Sequence, residues 1–312
     1  MSASPQAVYT IDDLRRWPEA TRDLDKPARL AVFGDPVAHS KSPQLHEPAL
    51  ETCQIDSHYV RLAIKPAELE EALGLCQKHD FIGVNLTIPH KQEALTLLDE
   101  IDSHAKELGA VNTVLFEGGQ MLGYNTDGPG LVQAVRYEFG MDVRDLRVLI
   151  VGAGGGAGRG IAVQCSMEHC QRLVMTNRTL EKAEALLPLL KSRMEDHRVP
   201  GPVKRLEVVP FDPDAIQQQL ARIDLIINAS AIGMKRMDPP ALPREILMPH
   251  LMVYDTVYAA GGRTKLMQAA EEVGARAANG LSMLLYQGAF AFEIWFNREA
   301  PVEAMRRGLL EA

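Results

Sequence analysis

Four cysteines are all the chain carries, Cys53, Cys76, Cys165 and Cys170, and no two of them form a C-x-x-C pair. That scatter has neither the spacing of a zinc site nor that of a disulfide framework. Free thiols packed as small hydrophobes are expected, and no metal site is predicted. Positive charge is also scarce: 33 Lys and Arg stand against 41 Asp and Glu, a formal net charge of −8. This argues against nucleic acid or an anionic membrane surface as a partner. It does not forbid a small anion, because a local pocket can oppose the global sign. No stretch approaches the ~20 apolar residues of a membrane span, and the N-terminus lacks the apolar core of a signal peptide. A cytoplasmic setting is the expectation, with no internal repeat and no low-complexity tract to suggest a scaffold.

What is present is ordinary globular material, 46% hydrophobic and 24% charged over 312 residues. That length predicts two domains rather than one core. Strand and helix signals alternate almost throughout, the pattern of an α/β protein with parallel strands. Strands are expected at Arg29–Phe33, Tyr59–Ile64 and Phe81–Leu86, with helices at Gln44–Thr52, Ala67–Lys78 and Gln92–Leu98. A hairpin should join Thr113–Phe116 to Met121–Tyr124 across Glu117-Gly118-Gly119. A helix from Asp127 to Phe139, closed by Gly140, then leads to strands at Arg147–Val151, Leu173–Thr176, Leu206–Val209, Leu225–Asn228 and Met252–Tyr254. Helices at about Leu281–Phe296 and Val302–Leu310 end the chain and are expected to return to the front domain. Residues 1–28 read as a polar extension with one capped turn from Thr10 that carries Leu14 and Trp17.

The sharpest local signal is Val148-Leu149-Ile150-Val151 running into Gly152-Ala153-Gly154-Gly155-Gly156-Ala157-Gly158. Gly152, Gly154 and Ala157 fit the dinucleotide fingerprint G-x-G-x-x-G/A, whose small residues let backbone approach a pyrophosphate at a helix N-terminus. The competing reading is a turn kept glycine-rich for packing alone. NAD-binding folds place Asp or Glu after the second strand of such a sheet, to bond the ribose 2′-hydroxyl. Here Thr176-Asn177-Arg178-Thr179 stands there instead. Arg178 and the Thr179 hydroxyl suit a 2′-phosphate, so NADP is favoured, unless Arg178 is a solvated surface charge.

Three polar constellations lie upstream. In Gly34-Asp35-Pro36-Val37-Ala38-His39-Ser40-Lys41-Ser42-Pro43, two hydroxyls flank one residue and suit a polyhydroxylated or carboxylate ligand. Helix capping by Ser42 ahead of Pro43 explains that pattern equally well. Asn85-Leu86-Thr87-Ile88-Pro89-His90-Lys91 puts Lys91 in the first turn of a predicted helix. The helix dipole would there oppose its charge and lower its pKa, as suits a general acid/base; a surface lysine is the alternative, and His90 reads as a surface or packing residue rather than a catalytic one. Finally, Gly109-Ala110-Val111-Asn112-Thr113 and Gly123-Tyr124-Asn125-Thr126-Asp127-Gly128 bring amides and hydroxyls to the hairpin ends. Asp127 either caps the helix it begins or partners Lys91 in moving a proton.

These segments, together with Tyr254–Tyr258 and Gly280–Gln287, closely resemble the shikimate dehydrogenase family in order along nearly the whole chain. The resemblance implies an N-terminal α/β substrate domain, residues 29–126 plus 281–312, and a Rossmann-like doubly wound parallel-sheet NADP domain over 127–280. It implies reversible NADPH-dependent reduction of 3-dehydroshikimate to shikimate in a cleft between the domains, by a monomer or homodimer. Lys91 and Asp127 are then the expected catalytic pair, with Ser40, Ser42, Thr87, Asn112, Tyr258 and Gln287 lining the substrate site. Gly152, Ala153, Gly154, Gly155, Gly156, Ala157, Asn177, Arg178, Thr179 and Gly280 are expected at the cofactor. Three places depart from the family pattern: Glu47 after His46 where Asn is common, Ala231 where proline is usual, and the stretch Ala259–Thr264, which lacks its usual proline. A quinate or mixed quinate/shikimate dehydrogenase is the runner-up, and a sensor that kept the fold without catalysis is the reading from another class.

Overall fold

The computed structural model describes residues 8–194, 204–235, 237–257 and 262–311. Its contacts divide the chain into two units, Met1–Gly130 with Leu284–Ala312, and Leu131–Met283.

The first unit is built on seven strands: β1 (Tyr9–Thr10), β2 (Ala28–Gly34), β3 (His58–Ala63), β4 (Gly83–Leu86), β5 (Glu100–Ile101), β6 (Thr113–Glu117) and β7 (Gln120–Tyr124). They lie in the order β1-β3-β2-β4-β6-β7-β5. The first four are mutually parallel; β6 turns antiparallel to β4, and β7 antiparallel to β6. Side chains of β2 alternate as a two-residue period requires. Ala31 and Phe33 join a core with helix Leu69–Lys78, while Leu30 and Val32 join another with helix Ser42–Thr52 and the two C-terminal helices. Gly83, inside the expected strand Phe81–Leu86, is where Trp295 seats: a Cβ there would lie 2.1 Å from the indole nitrogen, which donates to the Val114 carbonyl at 3.0 Å. At the other end of that layer Met305 and Leu309 of helix Val302–Leu310 share a core with Leu45 and Ala49.

Residues 9–28 do more than extend the chain. Tyr9 and Thr10 add a parallel edge to β3. Leu14 and Trp17 are buried, and the Trp17 indole donates to the Ala28 carbonyl at 3.1 Å. The segment is also tied through His58, whose Nε2 meets Asp25 at 2.8 Å and whose Nδ1 meets Glu47 at 3.1 Å. Glu47 in turn accepts from the Tyr59 amide. It therefore joins helix Ser42–Thr52 to β3, a structural task for the residue that departs from the family pattern. Burial pulls the His58 pKa down, but Asp25 and Glu47 outweigh it and leave it raised. A raised native value means the clamp stabilises fully below the unfolded-state value of about 6.5 and fades as pH rises through the native one. We expect His58→Gln to lower the melting temperature by a few degrees near pH 6. Thermal unfolding at a series of pH values should show that gap closing by pH 9; a constant gap would mean that the imidazole charge contributes nothing.

The second unit has six strands, β8 (Arg147–Val151), β9 (Arg172–Thr176), β10 (Leu206–Val208), β11 (Leu225–Asn228), β12 (Met252–Asp255) and β13 (Arg276–Asn279). All pairs are parallel, in the order β10-β9-β8-β11-β12-β13. This is the doubly wound order 3-2-1-4-5-6, whose ligands lie beyond the carboxyl ends of the strands. Strands β8, β9, β11 and β12 are buried on both faces, apart from a half-buried Arg147, which is why their apolar runs were unbroken. The α/β fold class with a Rossmann-like parallel sheet is thus observed. Strand β13 was not foreseen, because Arg-Ala-Ala-Asn lacks the β-branched residues of its neighbours; pairing with β12 makes it a strand. No helix among the described residues is long and apolar enough to cross a membrane.

Candidate active site

Lys91 Nζ lies 2.6 Å from Asp127 Oδ2, with both side chains about 70% buried (30% and 27% exposed). Two ways of positioning produce this pair. Strand β4 ends at Leu86, and Lys91 follows in a turn whose path is held by Thr87 N donating to Phe33 O at 2.9 Å and Val111 N donating to Lys91 O at 2.8 Å. On the other side, helix Asp127–Phe139 begins at the acid itself. The expectation of Asp127 as an N-cap fails for a specific reason: Asn125 Oδ1 takes the amides of Asp127 at 3.0 Å and Gly128 at 3.4 Å. With capping done by Asn125, the Asp127 carboxylate is left to Lys91. The helix expected at Gln92–Leu98 is a single 3-10 turn, Glu93–Thr96. So short a run lacks the aligned peptides of a macrodipole, and the dipole argument for Lys91 falls away. His90 is buried, with Nε2 on the Ile64 carbonyl at 2.8 Å.

A buried polar ladder leads away from the pair. Asn112 Oδ1 accepts from Thr126 N at 2.8 Å and Thr113 Oγ1 at 3.0 Å, and its Nδ2 donates to Thr126 Oγ1 at 2.9 Å and to Gln287 Oε1 at 3.5 Å. Gln287 is itself fixed by its Nε2 on the Leu284 carbonyl at 2.8 Å. Thr113 Oγ1 accepts from Asn85 Nδ2 at 3.1 Å, and Asn85 Oδ1 accepts from the Tyr59 phenol at 2.7 Å. Burial pushes that phenol above the usual tyrosine range, against the pull of the Ser42 hydroxyl. Ser40 Oγ donates to Ser42 Oγ at 3.1 Å and accepts from the Ser42 amide at 3.3 Å, so it is Ser40, and not Ser42 as a cap, that meets the first amide of helix Ser42–Thr52, whose N-cap residue is Lys41. Thr87, half-buried at the end of β4, makes no hydrogen bond through its hydroxyl among the described residues.

The first unit therefore brings Ser40, Ser42, Thr87, Lys91, Asn112, Asp127 and Gln287 onto one set of adjoining elements. Tyr258, also expected at the substrate, lies outside the described residues, as do Ala259 and Ala260 of the divergent loop. Asn85, Tyr59 and His46 were not chosen from sequence. The signal for Asn85 was its place at the end of β4 beside Thr87. His46 is fully buried and stacked on Tyr59 at 4.4 Å, and neither ring nitrogen makes a well-formed hydrogen bond among the described residues; burial, opposed by the nearby Asn85 side chain, lowers its pKa to about 3, so it is neutral.

In the second unit, the glycine turn joins β8 to helix Gly156–Met167. Gly154 has φ +86°, and a Cβ there would lie 2.2 Å from the Lys182 carbonyl. The close approach of helix to turn falls at Gly158, where a Cβ would meet Gly152 O at 2.2 Å, one residue beyond the exposed Ala157 of the fingerprint. Gly155 is the N-cap position, and the amides of Gly156 and Ala157, in the first turn of the helix, have no intrahelical acceptor. Asn177 bonds the Ala153 carbonyl through Nδ2 and the Thr179 amide through Oδ1 at 2.9 Å, which locks the exit of β9 to the turn. Arg178 and Thr179 are exposed beside it, and Arg178 takes no ion-pair partner among the described residues. A pyrophosphate against the helix opening and a 2′-phosphate against Arg178 fit this corner. Gly280 directly follows β13 in the same sheet, where a Cβ would lie 2.1 Å from the Thr256 carbonyl.

Comparison with known proteins decides the family. The profile of the shikimate dehydrogenase substrate-binding domain matches residues 32–114, and that of the shikimate 5'-dehydrogenase C-terminal domain matches residues 280–310. A shikimate dehydrogenase (NADP(+)) of Methanopyrus kandleri is 37% identical over 284 residues, covering 90% of this chain and 94% of the relative. The chain belongs to the shikimate dehydrogenase family. Within that family's fold, the crystal structure of shikimate 5-dehydrogenase from Thermus thermophilus in complex with NADP(H) and shikimate superposes with a TM-score of 0.77 at 31% identity, covering 91% of this chain and 99% of that one. A quinate dehydrogenase from Corynebacterium glutamicum in complex with NAD superposes at 0.81 with 27% identity, covering 92% of this chain and all of that one.

Proposed function

We propose that the chain is a shikimate dehydrogenase, reversibly reducing 3-dehydroshikimate to shikimate with NADPH. The observation that carries the reading is the Lys91–Asp127 pair at 2.6 Å, set among hydroxyl and amide side chains in the unit that matches the substrate-binding profile. NADPH, when bound, supplies the hydride. The chain's own part is to hold the substrate and move a proton. Lys91 donates to the ketone oxygen during reduction and accepts from the alcohol during oxidation; Asp127 keeps the ammonium aimed and balances its charge. Ser40 and Ser42 take the substrate carboxylate, and Thr87, Asn112 and Gln287 offer donors and acceptors to its ring hydroxyls. Arg178, exposed and without an ion-pair partner among the described residues, supports NADP over NAD. Free thiols at Cys53, Cys76, Cys165 and Cys170 agree with a reducing, cytoplasmic setting.

Initial rates with shikimate and quinate, each with NADP+ and NAD+, test the reading. The highest kcat/KM is expected for shikimate with NADP+. Preference for quinate with NAD+ would move the chain to the quinate branch, and absence of turnover with all four pairs would leave a metabolite- or nucleotide-binding protein.

A further inference from the structure

Two serine hydroxyls are neutral, and holding a carboxylate against water with neutral groups alone is weak, more so in a chain of net charge −8. A cation stands directly behind them. Arg61 on β3 donates from Nε at 2.9 Å and Nη2 at 2.6 Å to the Ser40 carbonyl, and from Nη2 to Gln44 Oε1 at 2.9 Å. All three contacts are to neutral acceptors. Among the described residues, Nη1 has no hydrogen-bond partner and no carboxylate lies within ion-pair distance of this guanidinium. Burial pulls its pKa down, with only the Tyr59 phenol opposing. A half-buried guanidinium with no anion is costly, and the cost is recovered when an anion arrives beside it. The same guanidinium fixes the backbone of Ser40, so position and charge come from one residue.

Resting on the shikimate reading, we propose that Arg61 supplies the positive charge against which the substrate carboxylate is held at Ser40 and Ser42. It acts through the serine loop, as a specificity-determining residue for an anionic substrate. Lys41, between the two serines, is the competing cation; it sits on a flexible stem with no anchoring bond among the described residues, whereas the Arg61 fork is fixed by three.

The test compares shikimate with its neutral methyl ester, reading the ratio of the two kcat/KM values with NADP+. Arg61→Gln should reduce the acid-to-ester ratio about ten-fold, the low end for one charge–charge interaction near a protein surface, because Arg61 acts through the serine loop and solvent screens it. Lys41→Gln should hold the ratio, and Arg61→Lys should retain most of it. A purely structural role for Arg61 would depress both substrates by the same factor, and that result overturns the proposal, as does loss of the ratio in Lys41→Gln alone. Should Arg61→Gln not fold, Arg61→Met, which keeps an unbranched stem and removes the charge, takes its place with the same expected loss of the ratio, and an unchanged ratio in it overturns the proposal. Wild-type protein that fails to oxidise shikimate would instead overturn the functional reading, a separate outcome seen before any variant is made.

Discussion

Lys91→Ala is expected to lower kcat for shikimate oxidation by about 10²–10⁴-fold, the usual contribution of a positioned acid/base group. Binding should suffer far less. The lysine contributes one donor to a substrate also held by two serines, a threonine and two amides, so a KM rise of only a few-fold is expected. That split separates the proton carrier from a residue that merely binds, because an interaction made mainly in the transition state appears in kcat. Asp127→Asn should fall between wild type and Lys91→Ala. The amide can still accept from the ammonium, but its charge no longer balances it, and Asn125 continues to cap the helix. Steady-state rates with NADP+, with shikimate binding measured separately by calorimetry, check both variants. Near-normal turnover in Lys91→Ala would remove it as the proton carrier.

How far the sequence went is best judged at particular residues. Doubly buried strands announce themselves as apolar runs, and the glycines that end β8 mark the turn, so the parallel sheet and its ligand edge were legible. The Asp127–Phe139 and Leu281–Phe296 helices were legible to the residue, because each had a strong boundary. What escaped depends on partners remote in sequence. Tyr9–Thr10 and Arg276–Asn279 are strands only because a neighbouring edge pairs with them. The segment after Lys91 carries residues with fair helix propensity, yet only Glu93–Thr96 closes, as a single 3-10 turn. Arg61 and Tyr59 looked like ordinary strand residues, since nothing local reveals that one grips the Ser40 carbonyl and the other aims Asn85. The release of Asp127 from capping could not be read either: Asn125 and Asp127 are both good caps, and only geometry shows which one takes the amides.

Arg178→Gln should abolish most of the preference for NADP+ over NAD+. Loss of a charge-assisted hydrogen bond to phosphate is worth about 1.5–3 kcal/mol. That corresponds to roughly a 10–150-fold fall in kcat/KM for NADP+. NAD+ carries no 2′-phosphate, so its kcat/KM should change little, and the ratio of the two is the measurement. The turn itself should survive the change, because it is held by Asn177 on the Ala153 carbonyl and on the Thr179 amide, bonds that Arg178 does not share. Its guanidinium has no partner among the described residues whose loss would propagate. Salt supplies an independent reading: Arg178 is exposed, so its attraction to a phosphate is screened, and the wild-type KM for NADP+ should rise with ionic strength more steeply than that for NAD+. In Arg178→Gln the two slopes should converge. Equal losses for both cofactors would mean instead that Arg178 supports the β9 exit rather than reading the phosphate. The choice of cofactor would then have to lie with Thr179, the other exposed donor at that corner.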